Sequence, residues 1–131
     1  MGIGVAAILL DTHTFVWGQL APHRLSARAK NAIEKADAVW VSAISFFEIA
    51  QKARLGKWPE VVGLADSLPK LHETQGGRIA PLDAEICVSA GLLPWPHRAP
   101  FDRLIAATAL LRKMTLVSLD AEFDDVLKRV W

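Results

Sequence analysis

Four acidic residues stand where a folded chain could bring their carboxylates together. Asp11 directly follows an apolar run, Asp120 directly follows residues 116–119, and Glu48 and Asp102 lie in segments with helical patterns. Hard divalent cations such as Mg²⁺ take oxygen ligands and need only a few carboxylates beside a substrate phosphate. A cluster of unpaired acids is otherwise costly, because like charges at short range repel each other. These acids therefore indicate a metal site suited to a phosphate-bearing substrate.

Each acid also has a purely structural explanation. Asp11, Asp102 and Asp120 all stand where helices begin, and a carboxylate there caps free amides and suits the positive end of the helix dipole. Glu48 lies four residues before Lys52, so the two side chains could form an exposed ion pair on a helix. From the residues alone, both explanations stay open.

Two hydroxyl residues close to the acids are candidates for an accessory role. Ser118 lies two residues before Asp120, where its hydroxyl could hydrogen-bond a neighbouring acid or a water on a bound ion. Thr12, the second candidate, directly follows Asp11. His13 is expected to support the ligands of a bound ion or to be structural, rather than to bind the ion itself, because magnesium-type sites prefer oxygen ligands.

A proline-rich and basic segment over residues 94–100 supplies the opposite charge. His97, Arg98 and Arg103 lie next to one of the acids and could hold a phosphate backbone. Trp95 could offer a ring face on which a nucleobase stacks. In the alternative explanation, Trp95 seals an edge of the core and Arg103 pairs with an acid. Three other tryptophans, which we assign to core or interface positions, are Trp17, Trp40 and Trp58.

Length and composition are those of a globular domain. The chain has 131 residues, of which 52% are hydrophobic, and this is enough for a core without disulfide or metal support. The formal net charge of +1 gives no overall field toward nucleic acid or membranes, so any nucleic-acid contact must be local. The single cysteine, Cys87, excludes an intrachain disulfide and favours a reducing compartment, so we expect a cytoplasmic protein.

Hydropathy predicts an association between chains but no membrane segment. The longest apolar run, residues 3–10, is far shorter than a membrane span. A mean hydropathy of +0.25 and five tryptophans suggest apolar surface that a partner covers, and a homodimer is the commonest such assembly.

Two other kinds of catalytic site are excluded by missing motifs. No glycine-rich phosphate loop follows the first apolar run, where Asp11-Thr12-His13-Thr14 stands instead. No Gly-x-Ser-x-Gly elbow occurs anywhere in the chain, so hydrolysis through a serine nucleophile of that type is not expected.

Strand and helix patterns alternate along the chain. Strands are predicted at residues 5–10, 38–41, 78–82, 116–119 and 129–131. Helices are predicted after caps at Ser26, at Ser42 or Ser45 and at Asp83, over residues 101–113, and as a short helix after Asp120. Pro59 is placed at the start of a further helix, which Pro69 should bend or end. This alternation predicts an α/β fold with a parallel sheet covered on both faces, whose strand ends form a crevice for ligands.

Four stretches together resemble the PIN-domain ribonucleases and, within them, the VapC-type toxins of type II toxin–antitoxin systems. They are Leu9-Leu10-Asp11-Thr12-His13, Ser42-Ala43-Ile44-Ser45 running into Glu48-Ile49-Ala50, Pro100-Phe101-Asp102-Arg103-Leu104-Ile105-Ala106-Ala107, and Leu116-Val117-Ser118-Leu119-Asp120. One stretch alone would be weak support, but the order and spacing of all four cover essentially the whole chain.

The resemblance implies a doubly wound parallel sheet with strand order 3-2-1-4-5, in a single PIN domain over residues 1–131. It implies Mg²⁺- or Mn²⁺-dependent endonucleolytic hydrolysis of RNA, with a cognate antitoxin as protein partner. Asp11, Glu48 and Asp102 match the family's acidic set, and Asp120 matches its fourth acid. Ser118 stands at the family's accessory Ser/Thr position.

One departure from the family pattern leaves an alternative open. Related sequences often carry an acid where this chain has Ala99, so a catalytically degenerate PIN domain is one other possibility. A non-catalytic α/β signalling module is the second, because such modules also gather acids and magnesium at strand ends. That module needs a phosphate-accepting aspartate after its third strand, and Asp83 at this place is better explained as a helix cap.

Overall fold

A five-stranded parallel sheet forms the centre of the molecule in the computed structural model, which describes residues 7–131. Its strands are β1 (Ile8–Leu10), β2 (Val39–Ser42), β3 (Arg78–Ala80), β4 (Thr115–Val117) and β5 (Arg129–Val130). The α-helices are α1 (Thr12–Leu20), α2 (Ala27–Lys35), α3 (Ala43–Arg54), α4 (Leu68–Thr74), α5 (Ala84–Leu92) and α6 (Pro100–Arg112). Within these residues, no helix is both long and apolar enough to cross a membrane.

The observed strand order, β3-β2-β1-β4-β5, confirms the predicted topology. Neighbouring strands all pair in parallel, and Leu10 of β1 lies opposite Val41 of β2 and Val117 of β4. The chain winds in opposite directions on the two sides of β1, and at such a point the strand ends leave an open crevice. Asp11 directly follows β1 and is therefore placed at that crevice.

Helices cover both faces of the sheet, as a doubly wound fold requires. Ile8 and Leu10 point into a core that contains Phe15 of α1 and Ile49 of α3. Leu9 points to the opposite face and packs in a second core with residues of α6. Because both faces of β1 are buried, the strand is apolar at every position, as the continuous run in the sequence predicted.

Several boundaries differ from the sequence prediction. The first strand begins at Ile8, and the predicted residues 5 and 6 lie outside the part of the chain that the structure describes. The prediction of a helix that begins at Pro59 is wrong, since Pro59 begins only a 3₁₀ turn and α4 begins at Leu68. Pro69 stands in the first turn of α4 rather than ending a helix, because first-turn positions do not need the amide hydrogen that proline lacks.

Candidate active site

All four predicted acids line one cleft at the carboxyl edge of the sheet, with a volume of about 330 Å³. Asp11 follows β1, Glu48 comes from α3, Asp102 lies in the first turn of α6, and Asp120 follows β4. The remaining lining residues are Thr12, His13, Lys52, Ala99, Phe101 and Ile105. The fold thus brings together carboxylates from four separate segments of the chain.

The Ser118 hydroxyl holds two of these acids in place. It donates a hydrogen bond to Oδ2 of Asp11 at 2.5 Å and accepts one from the backbone N–H of Asp120 at 3.0 Å. Asp11 also caps α1, because its Oδ1 accepts from the Thr14 N–H at 2.8 Å. Asp120 likewise caps a 3₁₀ turn. Capping and a place in the cleft are therefore compatible for both residues.

The Thr12 hydroxyl is directed away from the acids. It donates to Oγ of Ser45 at 2.9 Å, and both residues are buried. This bond joins the first turn of α1 to α3, one turn before Glu48. The contact suits a positioning role for Thr12, since it fixes the distance between the helices that carry or adjoin the acids.

Glu48 and Lys52 form the ion pair that their spacing allows. The Lys52 Nζ donates to Oε2 of Glu48 at 2.7 Å. The pair is not the exposed one of the structural explanation, because Glu48 is 8% exposed and lines the cleft. A buried carboxylate is rare unless it is paired, and Lys52 provides the charge that balances it.

Asp102 is paired with His97, whose ring lies between two carboxylates. His97 Nε2 donates to Oδ2 of Asp102 at 2.7 Å, and Nδ1 contacts Glu122. The hydrogen bond with Asp102 raises the pKa of His97, and desolvation opposes that effect. Burial raises the pKa of Asp102, as do the nearby charges of Asp120 and Glu48, while the His97 hydrogen bond lowers it. Asp102 is therefore close enough to Asp120 and Glu48 for their charges to disfavour its ionised form.

The basic segment before α6 is held by Arg103, a residue of the first turns of α6. The Arg103 guanidinium donates to the backbone carbonyls of Ala90, Gly91, Leu93, Trp95 and His97. Trp95 is 5% exposed and packs in the core beside Phe123. The burial of Trp95 corrects the prediction that it offers a face for stacking. The five bonds use all five N–H donors of Arg103, so none is left for a phosphate. Arg98 is exposed and stays a candidate for RNA contact.

The chemistry of the acidic cleft fits a hard divalent cation, because its donor set consists of carboxylates. Within residues 7–131, no three acidic or histidine side chains are already placed to hold a single ion together. Glu48 and Asp102 are instead paired with Lys52 and His97. Each pairing engages one carboxylate oxygen, Oε2 of Glu48 and Oδ2 of Asp102, so these pairs leave the second oxygen of each carboxylate for an ion.

Two residues that contact the candidate site were not predicted from the sequence. Ser45 bonds Thr12 and lies three residues before Glu48, so its place on the same helical face was a usable signal. Glu122 contacts His97, but this contact depends on the path of the segment before α6. No spacing in the sequence predicts that path.

The chain belongs to the PIN-domain family. The sequence model of that family, described as "PIN domain", matches residues 8–128. Over 117 residues it is 35% identical to Ribonuclease VapC22 of Mycobacterium tuberculosis, and the match covers 88% of each protein. These findings confirm the resemblance to VapC-type PIN domains that the four motifs predicted.

Solved structures share this fold. A chain in the crystal structure of VapBC2 from Rickettsia felis, bound to a DNA fragment from their promoter, has a TM-score of 0.68 and 20% identity, covering 94% of this chain and 96% of that chain. FitAcB from Neisseria gonorrhoeae has a TM-score of 0.56 and 25% identity, covering 93% of this chain and 95% of that chain. The likeness extends over nearly the whole described sheet and its helices.

Proposed function

We propose that this chain is a metal-dependent endoribonuclease of the VapC type, which hydrolyses RNA phosphodiester bonds with Mg²⁺ or Mn²⁺. The observation that carries the proposal is the meeting of Asp11, Glu48, Asp102 and Asp120 in one cleft. The relative at 35% identity is named a ribonuclease, which supports the same class of reaction.

The four acids would together form the binding site of the proposed ion. Asp11, Asp102 and Asp120 would hold it directly or through water, and Glu48 would bind it or orient the attacking water. A divalent cation polarises a phosphodiester and stabilises the charge that develops in its transition state. Ser118 acts as a positioning residue, because its hydroxyl contacts both Asp11 and the backbone of Asp120. No covalent enzyme intermediate is needed.

Neither alternative from the sequence is favoured by the site. All four acids are present in the cleft, which argues against a degenerate PIN domain despite Ala99. Asp83 accepts from the Ile86 N–H at 2.9 Å and pairs with Arg112, so it acts as the cap of α5. A signalling module would need that carboxylate to be free to accept a phosphoryl group.

The proposal includes two protein partners. One is a cognate antitoxin, supported by the resemblance to VapC-type toxins and by a structural neighbour solved as VapBC2. The other is a second copy of this chain, supported by exposed apolar residues such as Val88 and Leu92 on α5. A single domain over residues 1–131 and a cytoplasmic location belong to the same proposal.

A cleavage assay tests the proposed reaction. Purified protein is incubated with a mixed RNA substrate in buffers that contain Mg²⁺, Mn²⁺ or EDTA. We expect endonucleolytic fragments with either metal and none with EDTA. Cleavage that persists fully in EDTA, or no cleavage with either metal, would contradict the proposal.

A further inference from the structure

A second groove, with a volume of about 450 Å³, opens directly beside the acidic cleft and shares His13 and Lys52 with it. We call it the aromatic–basic groove. It is lined by His13, Trp17, Arg24, Lys52, Lys57 and Trp58. Glu60 adds one carboxylate to this lining. The groove therefore combines aromatic rings with an excess of positive charge next to the proposed site of cleavage.

The ring of His13 contacts both tryptophans of the groove. Trp58 is 7% exposed, and its ring stacks on that of His13 with centroids 4.8 Å apart and planes inclined by 29°. The Lys52 Nζ lies 5.7 Å from the centroid of the same tryptophan. His13 is exposed, and its ring lies 5.7 Å from that of Trp17, with the planes inclined by 58°. Buried Trp58 thus orients an exposed ring at the border of the cleft.

Two cations of the groove have no acidic partner in the described chain. Arg24 lies over the ring of Trp17, 5.1 Å from its centroid, and Lys57 follows the end of α3. Both side chains are exposed, and neither takes part in an ion pair within residues 7–131. Their charges are therefore available to a ligand that carries negative charge.

An acidic cleft by itself repels a polyanion, so cations must lie nearby to hold RNA at the site. The start of α6 and the segment before it supply few of them, because Arg103 is bonded to carbonyls and His97 to two carboxylates. Arg24 and Lys57 supply such cations in the aromatic–basic groove, which shares His13 and Lys52 with the acidic cleft.

We propose that the aromatic–basic groove binds single-stranded RNA and directs one phosphodiester into the acidic cleft, an inference that rests on the proposed ribonuclease function. Arg24 and Lys57 bind phosphates, and the rings of His13 and Trp17 stack against bases. Stacking requires unpaired bases, which a double helix does not present. An acidic protein segment would use the cations but would leave these rings without a matching partner, so RNA is favoured.

Binding measured without cleavage tests this assignment. The probe is a fluorescent, unstructured 12-nucleotide RNA, titrated with protein in EDTA and followed by anisotropy. We expect Arg24→Ala/Lys57→Ala to weaken binding about tenfold and to reduce the log–log salt slope by about 1.4, the value for two lost phosphate contacts on a single strand. The matched control is Arg28→Ala/Lys30→Ala, which removes two exposed cations of α2 and should bind like the wild type.

Substitutions of His13 separate stacking from charge. We expect His13→Ala to weaken binding about fivefold or more, and His13→Phe, which keeps a ring, to restore most of the affinity. Equal losses in the groove and control variants, or groove variants that bind like the wild type, would overturn the assignment. Poly-glutamate that binds as tightly as the RNA, with the same dependence on Arg24 and Lys57, would overturn it in favour of an acidic protein ligand.

Cleavage kinetics distinguish failure of this inference from failure of the nuclease proposal. We expect the Arg24→Ala/Lys57→Ala variant to raise KM about tenfold and to retain kcat, because these side chains lie outside the acidic cleft. Wild-type cleavage together with wild-type binding and KM in that variant would contradict the groove alone. A wild type that cleaves no RNA would contradict the nuclease proposal, and the binding data would still decide whether the groove holds RNA.

Discussion

The hydroxyl of Ser118 donates a 2.5 Å hydrogen bond to Asp11, and the two residues directly follow neighbouring strands of the sheet. The register that pairs Leu10 of β1 with Val117 of β4 brings them together. Because the same oxygen accepts from the Asp120 N–H, a single buried hydroxyl links two acids of the cleft. The placement of these acids therefore follows from the pairing of the two strands.

Ser118→Ala should disturb both stability and cleavage. Loss of a buried hydrogen bond to a carboxylate costs on the order of 1–3 kcal/mol, measured as the free energy of unfolding in urea. Because the hydroxyl positions Asp11, metal affinity or activity should fall by about 10- to 100-fold. Ser67→Ala removes an exposed serine that bonds only the Leu64 carbonyl and serves as the control. Wild-type activity and stability in Ser118→Ala would contradict the role assigned here.

Arg103→Lys should destabilise the segment between α5 and α6. A lysine ammonium cannot reproduce the planar set of donors that Arg103 directs at five backbone carbonyls. Since the carbonyls left unpaired are partly buried, we expect a loss of about 2–4 kcal/mol in the free energy of unfolding. The exposed substitution Arg28→Lys should have almost no effect. Equal stabilities for the two variants would show that the carbonyl contacts contribute little.

Most of the fold was predictable because its signals are local. The fully buried β1 appears as a continuous apolar run, and the alternation of strands and helices predicts a parallel sheet. The strand order came only from the family resemblance. The segment between α3 and α4 was not predictable, since Pro59 is compatible both with a helix start and with the 3₁₀ turn that forms.

The acids of the candidate site were predictable, but their partners were only partly so. Asp11 directly follows β1, and Asp120 lies three residues beyond the end of β4. The topology of a parallel sheet places the carboxyl ends of its strands on one edge. Burial of Trp95 depends on how residues 93–99 pack against α6, which is a tertiary effect that composition does not encode. The stacking of His13 on Trp58 joins residues far apart in the chain, so no short-range sequence pattern predicts it.

Ala99→Asp should increase the stabilisation that a metal provides. Ala99 occupies the N-cap of α6 without a side-chain hydrogen bond, and it also lines the acidic cleft. The matched variant Ala99→Asn should raise the free energy of unfolding by about 1 kcal/mol, because asparagine caps the helix. Aspartate caps as well but adds a negative charge near Asp102, so its gain should appear mainly when Mn²⁺ is present. Thermal melting with Mn²⁺ and with EDTA checks this, and identical Mn²⁺-induced shifts for the two variants would contradict it.

A homodimer should form through the exposed apolar face of α5. Val88 is 61% exposed and Leu92, one turn further along, is 77% exposed. Sedimentation at micromolar concentration should give a species of twice 14.3 kDa, and Val88→Glu/Leu92→Glu should give the monomer. Val62→Glu changes a residue of similar exposure, 59%, on another surface and should leave the dimer intact. A wild-type monomer would contradict this prediction.

The most direct test of the account is the effect of Asp11→Asn on RNA cleavage, with thermal melting measured on the same samples. Asparagine caps a helix about as well as aspartate, so α1 should keep its cap and the melting temperature should stay nearly unchanged. Removal of one negative charge weakens binding of a hard cation, so cleavage with Mg²⁺ or Mn²⁺ should be lost. Loss of cleavage with an unchanged melt is the predicted result. An Asp11→Asn variant that cleaves RNA as fast as the wild type would contradict the assignment of this cleft as a metal-dependent nuclease site.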